Sequence, residues 1–278
     1  MGKFDGKVVL ITGGARGQGR SHALRFAQEG ADVAFCDIAS QLDTVPYPMA
    51  QPSDLDDTVK MVEDLDRRCV AARADVRDLG EVQAFVEQAS TELGRVDFLL
   101  ANAGILSMSS IAEMDSATWQ EMIDTNLTGV FHAMRAVLPI MIEQNHGRIV
   151  ATSSTAGKMG FPNIGHYAAA KWGVIGLVKS LAREVAANGI TVNAVCPTTV
   201  DTPMVQNEPT YRLFLPDSAE PSREEAMPVF QAMNAIPVPW VEAVDISNAM
   251  AFLCSDEARY ITGETIAVAA GMTAANAG

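Results

Sequence analysis

The sequence predicts an α/β fold: a doubly wound parallel β-sheet with helices on both faces. Three observations predict it. Strand-length apolar runs alternate with helical segments of about ten or more residues along the whole chain. Helices of that length between successive strands imply parallel strands covered on both faces. The first run passes through a glycine-rich turn into a helix, and the second closes on an aspartate, which makes a βαβ unit.

Residues 7–12 (KVVLIT) read as a buried strand. The turn GGARGQG follows, then a helix through Ala23, Leu24 and Ala27 that ends at Gly30. Residues 31–37 return to strand and stop at Asp37. Residues 38–53 carry three prolines and no usable period, and read as an exposed inserted loop. Residues 54–68 are helical, with Asp54 and Asp57 near the start. A short strand over 70–74 ends at Asp75 and Val76. A helix over 79–94 and a strand over 96–104 that runs into a turn come next. Ser116 is placed to cap a long helix carrying Trp119, Ile123 and Leu127 and continuing to Met134 and Met141, with Pro139 as a kink point. Residues 147–154 are a strand, 164–187 a long helix, and 190–197 a strand ending at Pro197. Residues 201–240 are mixed and proline-punctuated, and read as a lid over a pocket. A helix over 243–256 and a strand over 263–271 complete the pattern. No linker or tandem repeat divides the chain, so residues 1–278 are expected to form one domain.

Size and charge narrow the function. A chain of 278 residues supports one large core without metals or disulfides. The net charge of -14 repels nucleic acid and anionic membranes, and disfavours an acidic protein partner. No apolar stretch approaches the ~20 residues of a membrane span, and residues 1–14 lack a signal-peptide pattern. Cys36, Cys69, Cys196 and Cys254 form no CxxC pair, which suits a reducing, cytoplasmic setting. No HxxxH or His/Cys cluster suggests zinc. His22 and His132 read as structural. His166 adjoins Tyr167 but does not share its helix face.

Tyr167 and Lys171 stand four residues apart in GHYAAAKWG, one helical turn apart on one face. A phenol is a poor base near neutral pH, its reference pKa being about 10. An adjacent cation favours the phenolate, so Lys171 is expected to lower that value. Gly13, Gly17 and Gly19 allow a tight turn and close approach of a pyrophosphate to the helix start, although an ordinary strand-to-helix connection also uses glycine. Asp37 at the end of the second strand can bond both ribose hydroxyls of an adenosine and repels a 2′-phosphate, which favours NAD over NADP. Arg16, inside the turn, is placed to approach a phosphate.

Together these features resemble the short-chain dehydrogenase/reductase family over nearly the whole chain. The resemblance rests on TGGARGQG, Asp75-Val76, Asn102-Ala103-Gly104, Asn126, Ser154, Tyr167 with Lys171, and Cys196-Pro197 through Thr202. It implies a Rossmann-type fold and an NAD site formed by Gly13, Arg16, Gly17, Gln18, Gly19, Asp37, Ile38, Asp75, Val76, Asn102, Ala103, Gly104, Pro197, Val200 and Thr202, together with Tyr167 and Lys171. By the same resemblance, Asp75 binds adenine, Lys171 bonds the nicotinamide ribose, and Val200 and Thr202 approach the nicotinamide amide. Asn126, Ser154, Tyr167 and Lys171 form the catalytic set. Tyr167 takes the hydroxyl proton, Ser154 orients the substrate oxygen, and Asn126 holds a helix bend and a proton-relay water. The family also implies a homotetramer built on the long helices flanking the fifth strand. Two departures stand out: Ala101 replaces the usual Asn, and Thr198 replaces the usual Gly after Pro197.

The glycine turn, the insertion after Asp37 and the segment PVPWVEAVDISNAMAFLCSDEARYITG are similar to the carveol-dehydrogenase-like, mycofactocin-associated branch. That implies a hydrophobic secondary alcohol, including cyclic terpenoid alcohols, and the matching ketone. It also implies tightly held NAD, recycled by a redox partner. Leu106, Ser107, Met108, Met159, Gly160, Phe161, Met204, Tyr211, Phe214 and Trp240 are the candidate pocket walls. A 3-oxoacyl-carrier-protein reductase shares the catalytic groups, and a non-catalytic NAD-binding regulatory protein shares the fold. Both remain alternatives at this level.

Overall fold

The computed structural model describes residues 2–275; Met1 and residues 276–278 of the expected domain lie outside the described residues. The strands are β1 (Val8–Thr12), β2 (Asp32–Asp37), β3 (Cys69–Arg73), β4 (Phe98–Ala101), β5 (Gly147–Thr152), β6 (Ile190–Pro197) and β7 (Thr265–Val268). All pair in parallel, in the order β3-β2-β1-β4-β5-β6-β7. The crossovers are α1 (Gly17–Gln28), α2 (Pro52–Glu63), α3 (Leu79–Leu93), α4 (Ser116–Ile123) with α5 (Gly129–Gln144), and α6 (Gly165–Val185). Between β6 and β7 lie α7 (Glu208–Phe214), α8 (Arg223–Ala232) and α9 (Ala243–Cys254). Among the described residues no helix is long and apolar enough to cross a membrane.

Successive strand residues face opposite sides, so each strand divides its side chains between two cores. Val8 and Leu10 join α3, α5 and α6 on one face, through Phe85, Val137 and Val178. Val9 and Ile11 join α1 and α9 on the other, through Phe26, Ile246 and Met250. This is why VVLIT is buried at every position. Phe26 lies 5.0 Å from the Phe4 ring and 5.8 Å from Phe98, fixing α1 against the sheet.

The sheet grows outward from β1 to β3 and then resumes on the other side at β4. The loops leaving β1 and β4 therefore diverge and open a crevice at the carboxyl edge of the sheet. Everything discussed below lies along that crevice.

Several sequence expectations change in detail. The cap of α4 is Asp115, whose carboxylate accepts from Thr118 N at 2.7 Å, so Ser116 is the first helical residue rather than the cap. The long helix beyond it is interrupted by a π-helical turn, Asp124–Thr128, before α5. Apolar periodicity alone does not register one extra residue in a turn. Pro139 lies within α5. α2 starts at Pro52, capped by Gln51 and Asp54 in a reciprocal box.

The larger correction concerns residues 38–53. Their backbone is irregular, as expected, but the segment is exposed only in part: Gln41, Asp43 and the three prolines face solvent, while apolar side chains between them turn inward. Leu42, Val45, Tyr47 and Ala50 are buried, the first three in a cluster with Ile105, Leu106, Met122 and Ile164. Prolines and the lack of a period report irregular backbone and say nothing about burial. The apolar side chains between the prolines fold over the crevice. Val45→Asp would place an unpaired carboxylate in this cluster, so it should cost roughly 2–3 kcal/mol in urea unfolding, whereas an exposed insert would move by less than about 0.5 kcal/mol.

Candidate active site

The crevice begins at the glycine turn. Gly13 has φ +70°, and a Cβ there would stand 2.8 Å from the Ala103 Cα. A Cβ on Gly19 would stand 1.9 Å from the Gly13 carbonyl oxygen. Neither position tolerates a side chain, and the turn stays low enough for a ligand to lie over it. The cap residue of α1, Arg16, makes no side-chain cap bond, and the first turn carries no acid. Its amide groups therefore remain an uncapped, electropositive helix start, the arrangement that holds a phosphate.

Asp37 stands at the outer end. Its two carboxylate oxygens accept from Ala15 N and Ala39 N, each at 3.2 Å. Burial raises its pKa, while these two amides pull it down. Asp75 lines the same end, but its carboxylate is held by Arg77 at 2.6 Å, so the expected adenine contact competes with an ion pair. Arg16 lines the cleft while its guanidinium donates to Pro48 O at 2.5 Å. The arginine thus ties the glycine turn to the insert.

At the inner end, β5 delivers Ser153 and Ser154 beside the first turns of α6. Ser153 Oγ donates to Lys171 O at 2.9 Å, pinning the helix to the strand end. Ser154 is extended and caps the short turn Thr155–Gly157, accepting from Ala156 N at 3.1 Å. Its own O–H is left to point elsewhere. Lys171 is 3% exposed, donates to Thr152 O at 2.8 Å, and lies 5.5 Å from the centre of the Tyr167 ring. A Cβ on Gly104 would stand 3.3 Å from Asn126 Oδ1 and 3.5 Å from Lys171 Nζ. The bare glycine lets these side chains converge.

Asn126, on the π-helical turn, is fully buried. Its Oδ1 accepts from Ile105 N at 2.8 Å and its Nδ2 donates to Ile105 O at 2.9 Å. The side chain thus grips the loop after β4.

The titration directions correct one expectation. Burial lowers the Lys171 pKa to about 8. Tyr167 is raised, because desolvation outweighs the opposing hydrogen bond from Ser154. The predicted lowering of Tyr167 by Lys171 is therefore not the net result in the protein alone. The ammonium is turned to the Thr152 carbonyl, and both groups have lost water.

Two cavities share Gln18, Asn102, Gly104, Ile105, Thr202 and Met204, and so make one cleft from Asp37 to Tyr167. The outer part also includes Gly13, Gly17, Gly19, Ile38, Val76 and Ala103. The inner part includes Ser154, Tyr167, Lys171, Pro197 and Val200. Gln18 Oε1 is buried with no hydrogen-bond partner, an acceptor left over for a bound group. The sequence did not reveal Leu42, Tyr47, Met49 and Ala50 on the outer wall, or Leu213, Met233 and Met272 on the inner one. The only signal for the first set was apolar residues before and between the prolines.

Of the candidate pocket residues, Leu106, Phe161, Met204 and Phe214 line the inner cavity. Ser107, Met108, Met159, Gly160, Tyr211 and Trp240 do not line it. Ser107 bonds His166 Nε2 at 2.9 Å, and Tyr211 and Trp240 pack on Phe230 within residues 201–240. Thr198 stays out of the left-handed region, and its hydroxyl bonds Asn234 Oδ1 at 3.4 Å, so the missing glycine is accommodated. His22 and His132 bond Ser247 Oγ and Val76 O. Among the described residues no group of His, Cys, Asp or Glu could hold a metal ion.

A family model described as short chain dehydrogenase matches residues 7–212. The chain is 49% identical over 275 residues to (-)-trans-carveol dehydrogenase of Rhodococcus erythropolis, covering 98% of this chain and 99% of that protein. Carveol dehydrogenase from Mycobacterium avium, solved in complex with NAD, superposes with a TM-score of 0.97 at 47% identity, covering 99% of this chain and 100% of that one. A short chain dehydrogenase from Mycobacterium paratuberculosis, solved bound to NAD, gives 0.90 at 36% identity, covering 98% and 100%.

The buried ammonium has a measurable consequence. The unfolded chain keeps the Lys171 proton up to the ordinary value of 10.5, while the folded chain releases it near 8. Between those values the unfolded state binds more protons, so stability rises with pH; below about 8 the penalty is at its full size. Lys171→Met should remove that penalty. Denaturation of the two proteins should differ by roughly 3 kcal/mol in favour of the variant at pH 7, and the difference should shrink toward pH 10.5.

Proposed function

The chain belongs to the short-chain dehydrogenase family, and we propose that it uses NAD to oxidise a hydrophobic secondary alcohol to its ketone, with cyclic, carveol-like terpenoid alcohols as the substrate class. One observation carries the reading: Ser154, Tyr167 and Lys171 open into an apolar cavity that joins the Asp37 cleft.

The cleft fits NAD on its own chemistry. The uncapped start of α1 takes the pyrophosphate, and the Asp37 carboxylate takes ribose hydroxyls while repelling a 2′-phosphate. The NAD-bound relatives support the same assignment. When bound, the nicotinamide supplies the hydride acceptor.

The protein moves the proton. Tyr167, as phenolate, takes it from the alcohol hydroxyl. Ser154 donates to the substrate oxygen and holds it as the carbonyl forms. Lys171 provides positive charge beside the base and passes its proton outward. The Asn126 side chain is engaged by Ile105. With Lys171 and a water, Asn126 is assigned to relay the proton outward while its side chain holds the loop after β4. Ketone reduction uses the same groups in reverse.

The inner wall of Leu106, Phe161, Ile164, Leu213, Phe214, Met233 and Met272 suits a ring hydrocarbon. A net charge of -14 opposes an acidic carrier protein. A non-catalytic role would leave the buried cost of Lys171 unexplained. Trp119, Phe131 and Trp172 are exposed on α4, α5 and α6. They support a homotetramer formed on these helices. Tight retention of NAD under the insert would call for a redox partner that recycles it.

An alcohol panel tests the reading, run with free NAD and separately with an artificial electron acceptor. Oxidation of hydrophobic secondary alcohols is expected in at least one arm. Activity only with the acceptor, with NAD retained through purification, marks a cofactor that does not exchange. No oxidation in either arm, with NAD bound, contradicts the assignment for the alcohols tested and favours the regulatory reading. Tyr167→Phe should lower turnover by about 10²–10⁴-fold while most NAD binding remains. Because desolvation raises Tyr167, kcat/KM for oxidation should climb toward alkaline pH and that for reduction should fall.

A further inference from the structure

We propose that Tyr47 of the insert is a positioning residue for the alcohol pocket: it fixes Leu106, and through Leu106 it sets which alcohols fit. The inference rests on the alcohol-dehydrogenase reading above and deepens it.

The loop after β4 carries the near wall of the inner cavity. Its three successive residues are held by three side chains from separate elements. Asn126 of the π-helical turn holds both main-chain polar groups of Ile105. The Tyr47 hydroxyl accepts from Leu106 N at 3.1 Å. His166 of α6 bonds Ser107 Oγ at 2.9 Å. Of these three residues, Ile105 and Leu106 line the inner cavity and Ser107 does not; Ile105 lines the outer cavity as well, so Leu106 is the one that serves the inner cavity alone. The Leu106 amide is buried. Without the phenol oxygen it would have to find another acceptor, and the loop would have to turn to do so.

Tyr47 is presented by a stiff segment. Pro46 and Pro48 flank it and restrict the backbone on both sides. Gln41 Nε2 donates to Val45 O at 2.9 Å and to Tyr47 O at 3.3 Å, and Arg16 holds Pro48 O. Thr44 bonds Glu121, tying the insert to α4. Tyr47 itself is 4% exposed and packs in one cluster with Leu42, Leu106, Met122 and Ile164, against which Tyr167 and Leu213 also lie. Tyr47 lines the outer cavity, and its hydroxyl reaches the main chain of Leu106, which lines the inner one.

Tyr47→Phe keeps the ring and removes the one oxygen. Two readouts test it. Amide hydrogen exchange at Leu106 should accelerate by about tenfold or more, with Ile105, held by Asn126, nearly unchanged. The ratio of kcat/KM for a cyclic over a short acyclic secondary alcohol should shift by roughly fivefold or more. That shift should appear in KM, with bound NAD per chain unchanged. In a Leu106→Ala background the selectivity shift should vanish, since Tyr47 acts through that side chain. Unchanged exchange at Leu106 overturns the proposal. So does an equal loss for both alcohols through kcat with loss of NAD, which would make Tyr47 a cover for the cofactor alone. If wild-type protein oxidises neither alcohol, the parent reading fails, and Leu106 exchange still decides whether Tyr47 fixes the loop.

Discussion

The ammonium of Lys171 has been taken out of water, and the site is arranged around that fact. Its charge reaches one carbonyl, Thr152 O, at the end of β5. Ser153 locks the helix that carries it, and Gly104 clears the space beside it. Burial drives the lysine toward neutrality and the neighbouring phenol away from ionisation. Both shifts disfavour charge in the protein alone. A site of this kind is strained until other groups complete it, which is the usual exchange of stability for activity.

The sheet order determines where that strain sits. Because the chain reverses direction of growth at β1, the glycine turn and the loop after β4 separate. The first offers an uncapped helix start, and the second offers Asn102 to Gly104 and then Leu106. β5 and α6 bring Ser154, Tyr167 and Lys171 to the same edge. The cleft joining Asp37 to Tyr167 follows from topology, and its apolar inner wall is shared by the loops after β4, β5 and β7 and residues 201–240.

Much of this was legible in the sequence, for identifiable reasons. A nearly continuous apolar run such as VVLIT fits a sheet covered on both faces, and the structure buries it fully. The glycine spacing and the Tyr167/Lys171 pair are local patterns with local physical meaning. Less legible were features that depend on tertiary fit. The π-helical turn at Asn126 adds a residue without changing the apolar pattern. Asp115 and Ser116 are both good caps, and only the backbone decides between them. The burial of the insert could not be read from its prolines, since Leu42, Val45 and Tyr47 find their partners more than fifty residues away, in the loop after β4. The direction of the Tyr167 shift was also hidden. Helical spacing gives the neighbour of a group, whereas desolvation depends on the whole wall.

The account holds that Tyr167 and Lys171 face a bound nicotinamide across an apolar pocket and act on a carbinol. Single-turnover oxidation tests this most directly: NAD-loaded protein is mixed with a hydrophobic secondary alcohol bearing hydrogen or deuterium on the carbinol carbon, and reduced cofactor is followed by absorbance. The account predicts one equivalent of reduced cofactor per site, with the deuterium transferred from the alcohol to the cofactor. Reduced cofactor that carries no deuterium, or none formed while NAD stays bound and alcohol saturates the pocket, would contradict it.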